Sequence, residues 1–553
     1  MSLMANALPL RGPVARPGAL RGSGRVIRHI VRRDRVRLTV WALSIAAFVA
    51  YFTLALSTVF DAAALAARAA VMRTPTGIVM GGPGYGLDDY TTPVAIANEG
   101  ITWIVLALAI MSIVHVVRHT RAEEESARAE LVRAAPIGRH AAAIAALATL
   151  AGHLVVIAAL GAASLVALGE DVAVVDAFAL MLGSSGAALV FGAVALVTAQ
   201  VTESARAASG LALAVFGVFF AIRAAGDLQE LGGSALSWFS PIAWAQQMRP
   251  FVELRWWPLA LSLAATVVLL ALAAAIAARR DLGAGLVRSR GGRARASRAL
   301  ASPFALAWRQ QRAALAWTAL GLGLLWFASG TMMSTLDDMM RDLVATTPAL
   351  GALFGTDPTE FTVSFLGMLM LFVGLCAAAY AIVAGQRARE EESSGRLEIV
   401  AAAPVSRGGW FTAQMLVAAL GSLLVLAVSV GALWLGGFLV GIEDPGPADF
   451  GRVLAFSAPG VLVFLAVTAA LYAWLPRAMG VSWAAFAAVF VIGMFGAVFD
   501  LPEWFLRISP FHGIADAFRN DASVLPPVIV AAVAAGLFAL ALLGFRRREL
   551  RTG

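Results

Sequence analysis

Catalysis needs convergent nucleophiles, acids, bases or ligands, and this sequence is poor in them. It contains no lysine, so all 42 of its basic residues are arginine. That excludes a P-loop ATPase site, whose lysine ammonium must reach the terminal phosphates while backbone amides cradle the rest. Six histidines remain as candidate ligands. His115 and His119 stand at i, i+4 on one helical face and His140 follows, a spacing open to a three-imidazole metal site. No acidic base or fourth ligand has a fixed place beside them, so no metal site is assigned, and no catalytic residue or cofactor is expected in this chain. His153 and Arg223 lie within apolar stretches, where an ionisable group marks a candidate site. Each also has a plain reading, His153 as a neutral hydrogen-bonded contact between helices and Arg223 as a snorkelling side chain. The GGPGYG stretch (81–86) lacks the strand–helix setting of a phosphate loop and reads as a turn. The single cysteine, Cys376, allows no intrachain disulfide.

The densest charge pattern occurs twice. EEESARAELVRAAPIGR fills Glu123–Arg139 and EEESSGRLEIVAAAPVSR fills Glu390–Arg407. The first copy supplies Glu123, Glu124, Glu125, Arg128 and Glu130, then Pro136 and Arg139. The second supplies Glu390, Glu391, Glu392, Gly395, Arg396 and Glu398, then Pro404 and Arg407. Glu125 with Arg128, and Glu392 with Arg396, are at helical pairing distance, and the proline would end each helix. A solvated connector needs only polarity. Both copies keep the glutamate triplet, the Arg and Glu that follow it, the closing Arg and the same apolar positions (Leu131, Val132; Ile399, Val400), as a helix that docks on a soluble partner requires. The first copy is one residue shorter and has Ala127 where the second has Gly395, so the two docking sites need not be equal.

These segments sit between apolar runs. The chain is 60% hydrophobic and 14% charged, with mean hydropathy +0.82, which places it among membrane proteins. Twelve runs are long enough to cross about 30 Å of hydrocarbon: near 38–60, 99–117, 141–168, 174–200, 209–224 and 257–278, then 315–335, 363–386, 410–440, 452–474, 480–500 and 527–545. The fold class expected is all-α, a polytopic membrane protein of two tandem six-helix repeats. The arginines concentrate on the side that carries both acidic segments and both termini, which makes that side cytoplasmic. Arginine beside anionic lipid then explains the net charge of +8 without any nucleic acid. An Arg32–Arg33 pair followed by an apolar run and AALAARAA (63–70) also admits a signal peptide. The first span is instead kept as an anchor, because it completes a six-span half. The organisation expected is a disordered tail (1–24), a first half (25–278), a cytoplasmic linker (279–302), a second half (303–545) and a short tail (546–553).

Each half opens on a basic segment with helical apolar spacing, RVIRHIVRRDRVRL (25–38) and SPFALAWRQQRAALAW (302–317). Such a segment suits a helix lying in the membrane interface. Further matches join ESARAASG (203–210) to LPRAMGVS (475–482), and WFSPIAWAQQMRPF (238–251) to RISPFHGIADAFR (507–519).

A cytoplasmic EEExGRxExxxxxPVxR helix between the second and third spans of a duplicated six-span unit resembles the fused permeases of ATP-binding-cassette type 2 exporters. The likeness is to actinobacterial polyketide- and tetronasin-type antibiotic exporters and to mycobacterial drug-efflux permeases. It implies that the acidic helices are coupling helices seated on a separately encoded ABC ATPase, two copies per chain, with MgATP held by that partner. It also implies elbow helices at the basic segments, and outer re-entrant helices at Ser240–Pro241 and Ser509–Pro510. The expected activity is outward movement of hydrophobic small molecules such as antibiotics across the plasma membrane. A proton-coupled transporter would need acids at membrane depth, and a membrane-embedded transferase would need converging His, Asp and Glu groups. The sequence shows neither.

Overall fold

A computed structural model describes residues 19–333, 358–495, 502–519 and 522–548, apart from breaks at 60–61, 127–134, 136, 170, 281–282, 288–296, 298–299 and 301. Among these residues there is no strand, and eleven helices are long and apolar enough to cross a membrane. The chain divides into two compact units, Met1–Gly292 and Arg293–Gly553.

The first unit runs α1 (Ser23–Val59), α2 (Ala62–Met72), α3 (Pro75–Met80), α4 (Thr92–His119), α5 (Arg121–Glu125), α6 (Ala141–Leu168), α7 (Val174–Val201), α8 (Ala205–Asp227), α9 (Pro241–Gln246) and α10 (Trp257–Arg279). Spans α4 and α7 are buried along most of their length, while α1, α8 and α10 bury little and face outward. Small residues make the centre close-packed. A Cβ on Gly192 of α7 would stand 2.4 Å from Leu150 Cδ2 of α6, so a larger residue there would force that leucine side chain to shift. Several buried hydroxyls return their hydrogens to the preceding turn, as Ser112 does to Leu108 O (2.7 Å) and Thr149 to Ala145 O (2.7 Å), which satisfies those donors in an apolar setting.

The second unit runs α11 (Pro303–Thr331), α12 (Pro358–Ser393), α13 (Arg396–Ala401), α14 (Arg407–Leu439), α15 (Pro447–Trp474), α16 (Val481–Phe495), α17 (Glu503–Leu506) and α18 (Leu525–Arg547). Here α11 and α14 touch backbone to backbone. A Cβ on Gly330 would lie 2.2 Å from Leu433 O, and one on Gly436 2.2 Å from Phe327 O. The run at 480–500 appears as α16, shorter than a full span; residues 496–501 lie outside the described part.

Three expectations change. The basic segments are not separate interfacial helices: each is the start of an unbroken helix that continues into the first span of its unit, α1 and α11. No proline or glycine interrupts 25–59, so nothing ends the helix at the membrane surface. At 37 residues α1 is about 55 Å long by the 1.5 Å rise, well beyond the hydrocarbon thickness. Arg223 does not snorkel: it is fully buried. Its guanidinium donates to Ile78 O (3.1 Å) and Val79 O (2.5 Å), the open carbonyl end of α3, and lies 3.5 Å from Asp227, which accepts from Ser237 Oγ (2.6 Å). His153 is buried too, but its Nε2 makes no hydrogen bond, so the expected polar contact is not formed there.

Candidate functional site

In the first unit the acidic triplet begins just past the second span. Thr120, at φ −125° and ψ −84°, breaks α4 from α5, and α5 carries the three glutamates. Each reaches a different element. Glu123 pairs with Arg33 of α1 at 2.6 Å. Glu124 accepts from Arg280, just beyond α10, and from Arg121, both at 2.8 Å. Glu125 accepts the Ala205 backbone N–H at the start of α8, at 2.8 Å. Arg139 is exposed at the foot of α6. Arg128, Glu130 and Pro136, with Ala127, Leu131 and Val132, lie outside the described residues.

In the second unit α12 carries its glutamates at the end of a 36-residue helix. The acidic helix expected as one piece is two. Gly395 stands at φ +72°, a left-handed conformation that glycine adopts at no steric cost, and it ends α12 before α13 begins. The break removes the expected Glu392–Arg396 pair, since i and i+4 no longer share a helix. Arg396 turns instead to Glu391 at 2.9 Å. Glu392 accepts from Arg548, just beyond α18, at 2.6 Å and from the Tyr472 hydroxyl at 2.8 Å. Beyond the break the segment presents an exposed tip. Leu397 is buried, whereas Arg396, Glu398 and Ile399 are exposed, Ile399 by 77%. Glu390, Pro404 and Arg407 are exposed as well, and α13 ends at Ala401, ahead of Pro404.

One feature is common to both seats. An arginine that follows the sixth span clamps a carboxylate of the triplet, and the separation in sequence is 156 residues in both units, Arg280 to Glu124 and Arg548 to Glu392. All four side chains are largely buried, with exposures from 7% to 17%, so the pairs are shielded from solvent screening. These two arginines were missed from sequence, where they count as juxtamembrane charge. The doublet Arg279–Arg280 and the triplet Arg546–Arg548, each closing a sixth span, were the available signal.

The histidines converge differently from the spacing. His119 Nε2 lies 2.9 Å from Asp34 Oδ2 of α1, and the His115 ring packs at a tilt beside His119 with centroids 4.8 Å apart. Asp34, His115 and His119 offer ligand atoms within 4.8 Å of one another, so an acidic group does stand beside the imidazoles, supplied by a helix remote in sequence. His140 is not among them; it precedes α6. Arg118 also contacts Asp34, at 3.2 Å, so its carboxylate already has two partners and ties α1 to α4. At the far end of each unit the Ser-Pro turns are alike. Ser240 Oγ accepts from Ile242 N and Ser509 Oγ from Phe511 N, both at 3.3 Å. A six-residue helix follows Ser240, and a turn with a short 3-10 helix follows Ser509. The 81–86 stretch is a turn, with Gly84 and Gly86 at positive φ.

A family model described as "Multidrug efflux system permease Rv1217c, C-terminal domain" matches residues 27–277 and 300–546. The multidrug efflux system permease protein Rv1217c of Mycobacterium tuberculosis (strain ATCC 25618 / H37Rv) is 36% identical over 541 residues, covering 96% of this chain and 96% of that protein.

Proposed function

The chain belongs to the multidrug efflux system permease family, and from that premise we propose that it is the membrane subunit of an ABC exporter. It moves hydrophobic small molecules, antibiotics and other drugs, out of the cell on ATP hydrolysed by two copies of a separately encoded ATPase subunit. MgATP belongs to that partner. The chain crosses the plasma membrane many times, with both termini and both acidic segments in the cytoplasm.

The observation that carries this reading is the duplicated clamp. Each acidic segment is joined to the end of the sixth span of its own unit by a largely buried arginine–glutamate pair. A partner that pushes on the segment therefore moves a transmembrane helix rather than a slack loop. In the second unit the tip of Arg396, Glu398 and Ile399 gives such a partner an apolar knob within a charged rim, the usual composition of a docking surface. ATP-driven closure of the two ATPase copies would displace both segments together and switch the packing of the spans behind them.

A proton relay finds little support. Among the described residues the most deeply buried carboxylates are Asp34 and Asp227, and each is already paired with an arginine.

The test co-expresses the chain with its ATPase subunit and changes the tip alone. Ile399→Asp with Glu398→Arg should abolish co-purification of the ATPase and drug-stimulated ATP hydrolysis. Both residues are exposed, so folding should be unchanged. Glu443→Arg with Asp444→Arg, exposed on the loop before α15, should leave both readouts intact. Full retention of ATPase in the tip variant would reduce the segment to a solvated connector.

A further inference from the structure

The first unit contains a cavity of about 600 Å³ beside α5, a size usual for a small-molecule site. Its walls come from the first turns of α1 (Val26, Ile30), the start of α6 (Ala142, Ala143) and the stretch of α10 from its middle onward (Val267, Ala274). Val267 is 65% exposed, so the mouth opens sideways, where lipid lies. Three arginines line it, Arg33, Arg139 and Arg280, against the acids Glu123 and Glu124. Arg33 holds Glu123 and Arg280 holds Glu124. Arg139 is left with no ion-pair partner among the described residues. The first turn of α6 also begins here without a side-chain cap, although the Ala141 amide donates to Gly138 O, so the positive end of its dipole adds to the field of Arg139.

The second unit has the same scaffold with this place filled. The repeat sets Arg139 against Arg407, Ala142 against Trp410 and Ala143 against Phe411. Trp410 and Phe411 both stack on Phe545, with centroids 5.9 and 4.7 Å apart. The void left beside Arg407, Trp410 and Phe545 is about 20 Å³. The fold can therefore close this space with two aromatic side chains, and the first unit keeps it open with two alanines. An open cavity is destabilising unless something occupies it.

We propose that this cavity is a lateral binding site for an amphiphile with one anionic head, carboxylate or phosphate, and an elongated apolar body. The head meets Arg139 and the first turn of α6, and the body lies along the alanine face of α10. The inference rests on the proposed topology for its placement in the inner leaflet. Two sources carry this chemistry, an anionic phospholipid of that leaflet and a free lipophilic acid.

The test uses the full chain in phosphatidylcholine nanodiscs with a photoactivatable palmitate and its methyl ester, and maps the labelled peptides. Palmitate should label 137–144 and 267–280, and the ester about tenfold less, the ratio expected when a charge-assisted contact is lost. Ala142→Trp, which imports the residue of the second unit, should abolish labelling by both probes. Arg139→Gln, at an exposed position, should bring palmitate down to the level of the ester and keeps the test alive if the tryptophan variant fails to fold. Arg407→Gln should change neither. Displacement by phosphatidylglycerol built into the disc assigns the site to leaflet lipid, and displacement by added oleate alone assigns it to a free acid. Equal labelling by acid and ester, or undiminished palmitate labelling in Arg139→Gln, would overturn the proposal. Labelling needs neither ATP nor the ATPase, so failure here and failure of the exporter reading are separately visible.

Discussion

The two seats for the acidic segment are alike in their clamp and unlike in almost everything around it. In the first unit the three glutamates brace three elements, α1, α8 and the end of α10. In the second, one glutamate is clamped to the end of α18, another turns to Arg396, and the tip projects. The wall behind the first seat is alanine around a cavity, and behind the second it is a stack of Trp410, Phe411 and Phe545. What both units retain is a largely buried ion pair that ties the segment to the end of the last span. What differs is what a ligand entering from the side would encounter.

The largest expected effect comes from making the second unit resemble the first. Trp410 is 3% exposed, and truncating a buried tryptophan costs about 3–5 kcal/mol when the site cannot collapse. Trp410→Ala should therefore lower thermal stability markedly in detergent. Added palmitate should recover part of that loss if the opened space binds the same chemistry as the first unit, because a ligand bound only by the folded state stabilises it. No recovery would show that the size of the space is not what distinguishes the units.

The next effect tests the shared clamp. Removing one partner of a largely buried ion pair costs about 3 kcal/mol, chiefly because the other charge is left unpaired. Glu124→Gln and Glu392→Gln should each destabilise the chain by that order, measured by thermal unfolding. The double changes Glu124→Gln with Arg280→Gln, and Glu392→Gln with Arg548→Gln, should be milder than additive, with a coupling of about 2 kcal/mol. If the clamp also transmits force, the double variants should bind the ATPase normally and lose drug-stimulated hydrolysis. Additive single effects, or stimulation kept intact, would leave the pairs as local ties.

Much of the architecture was legible because apolar run length has a single physical cause. The third span was expected at 141–168 and α6 is Ala141–Leu168; the duplicated acidic segment was visible as a repeat. What could not be read depends on the third dimension. Helices α2 and α3 lie in a stretch whose AALAARAA run resembled a processing site, since no local pattern shows that Arg223 would seal the end of α3. The clamps join residues 156 positions apart, and each arginine is indistinguishable by spacing from its neighbours in a basic tail. Asp34 was overlooked beside the histidines for the same reason. Ala142 against Trp410 was plain in the aligned repeats, but only the packing around Phe545 gives the difference a volume.

The smallest effect belongs to Gly395, the backbone difference between the two segments. Its φ of +72° is left-handed, and a Cβ there would meet nothing within 4 Å. Replacement by alanine therefore costs conformation and no contact, about 1 kcal/mol. Gly395→Ala should lower thermal stability only slightly, and Gly395→Asn less still, because asparagine tolerates this conformation better. The informative readout is ATPase affinity. The left-handed residue sets the angle between α12 and α13 and so aims Ile399 and Glu398, while Ala127 holds this place in the first copy. If the angle matters, Gly395→Ala should weaken co-purification of the ATPase by more than its stability change accounts for, and Gly395→Asn should restore most of it. An alanine variant that binds the partner at full strength would show that the two segments dock without regard to this turn, and that their difference in length and in glycine is mechanically silent.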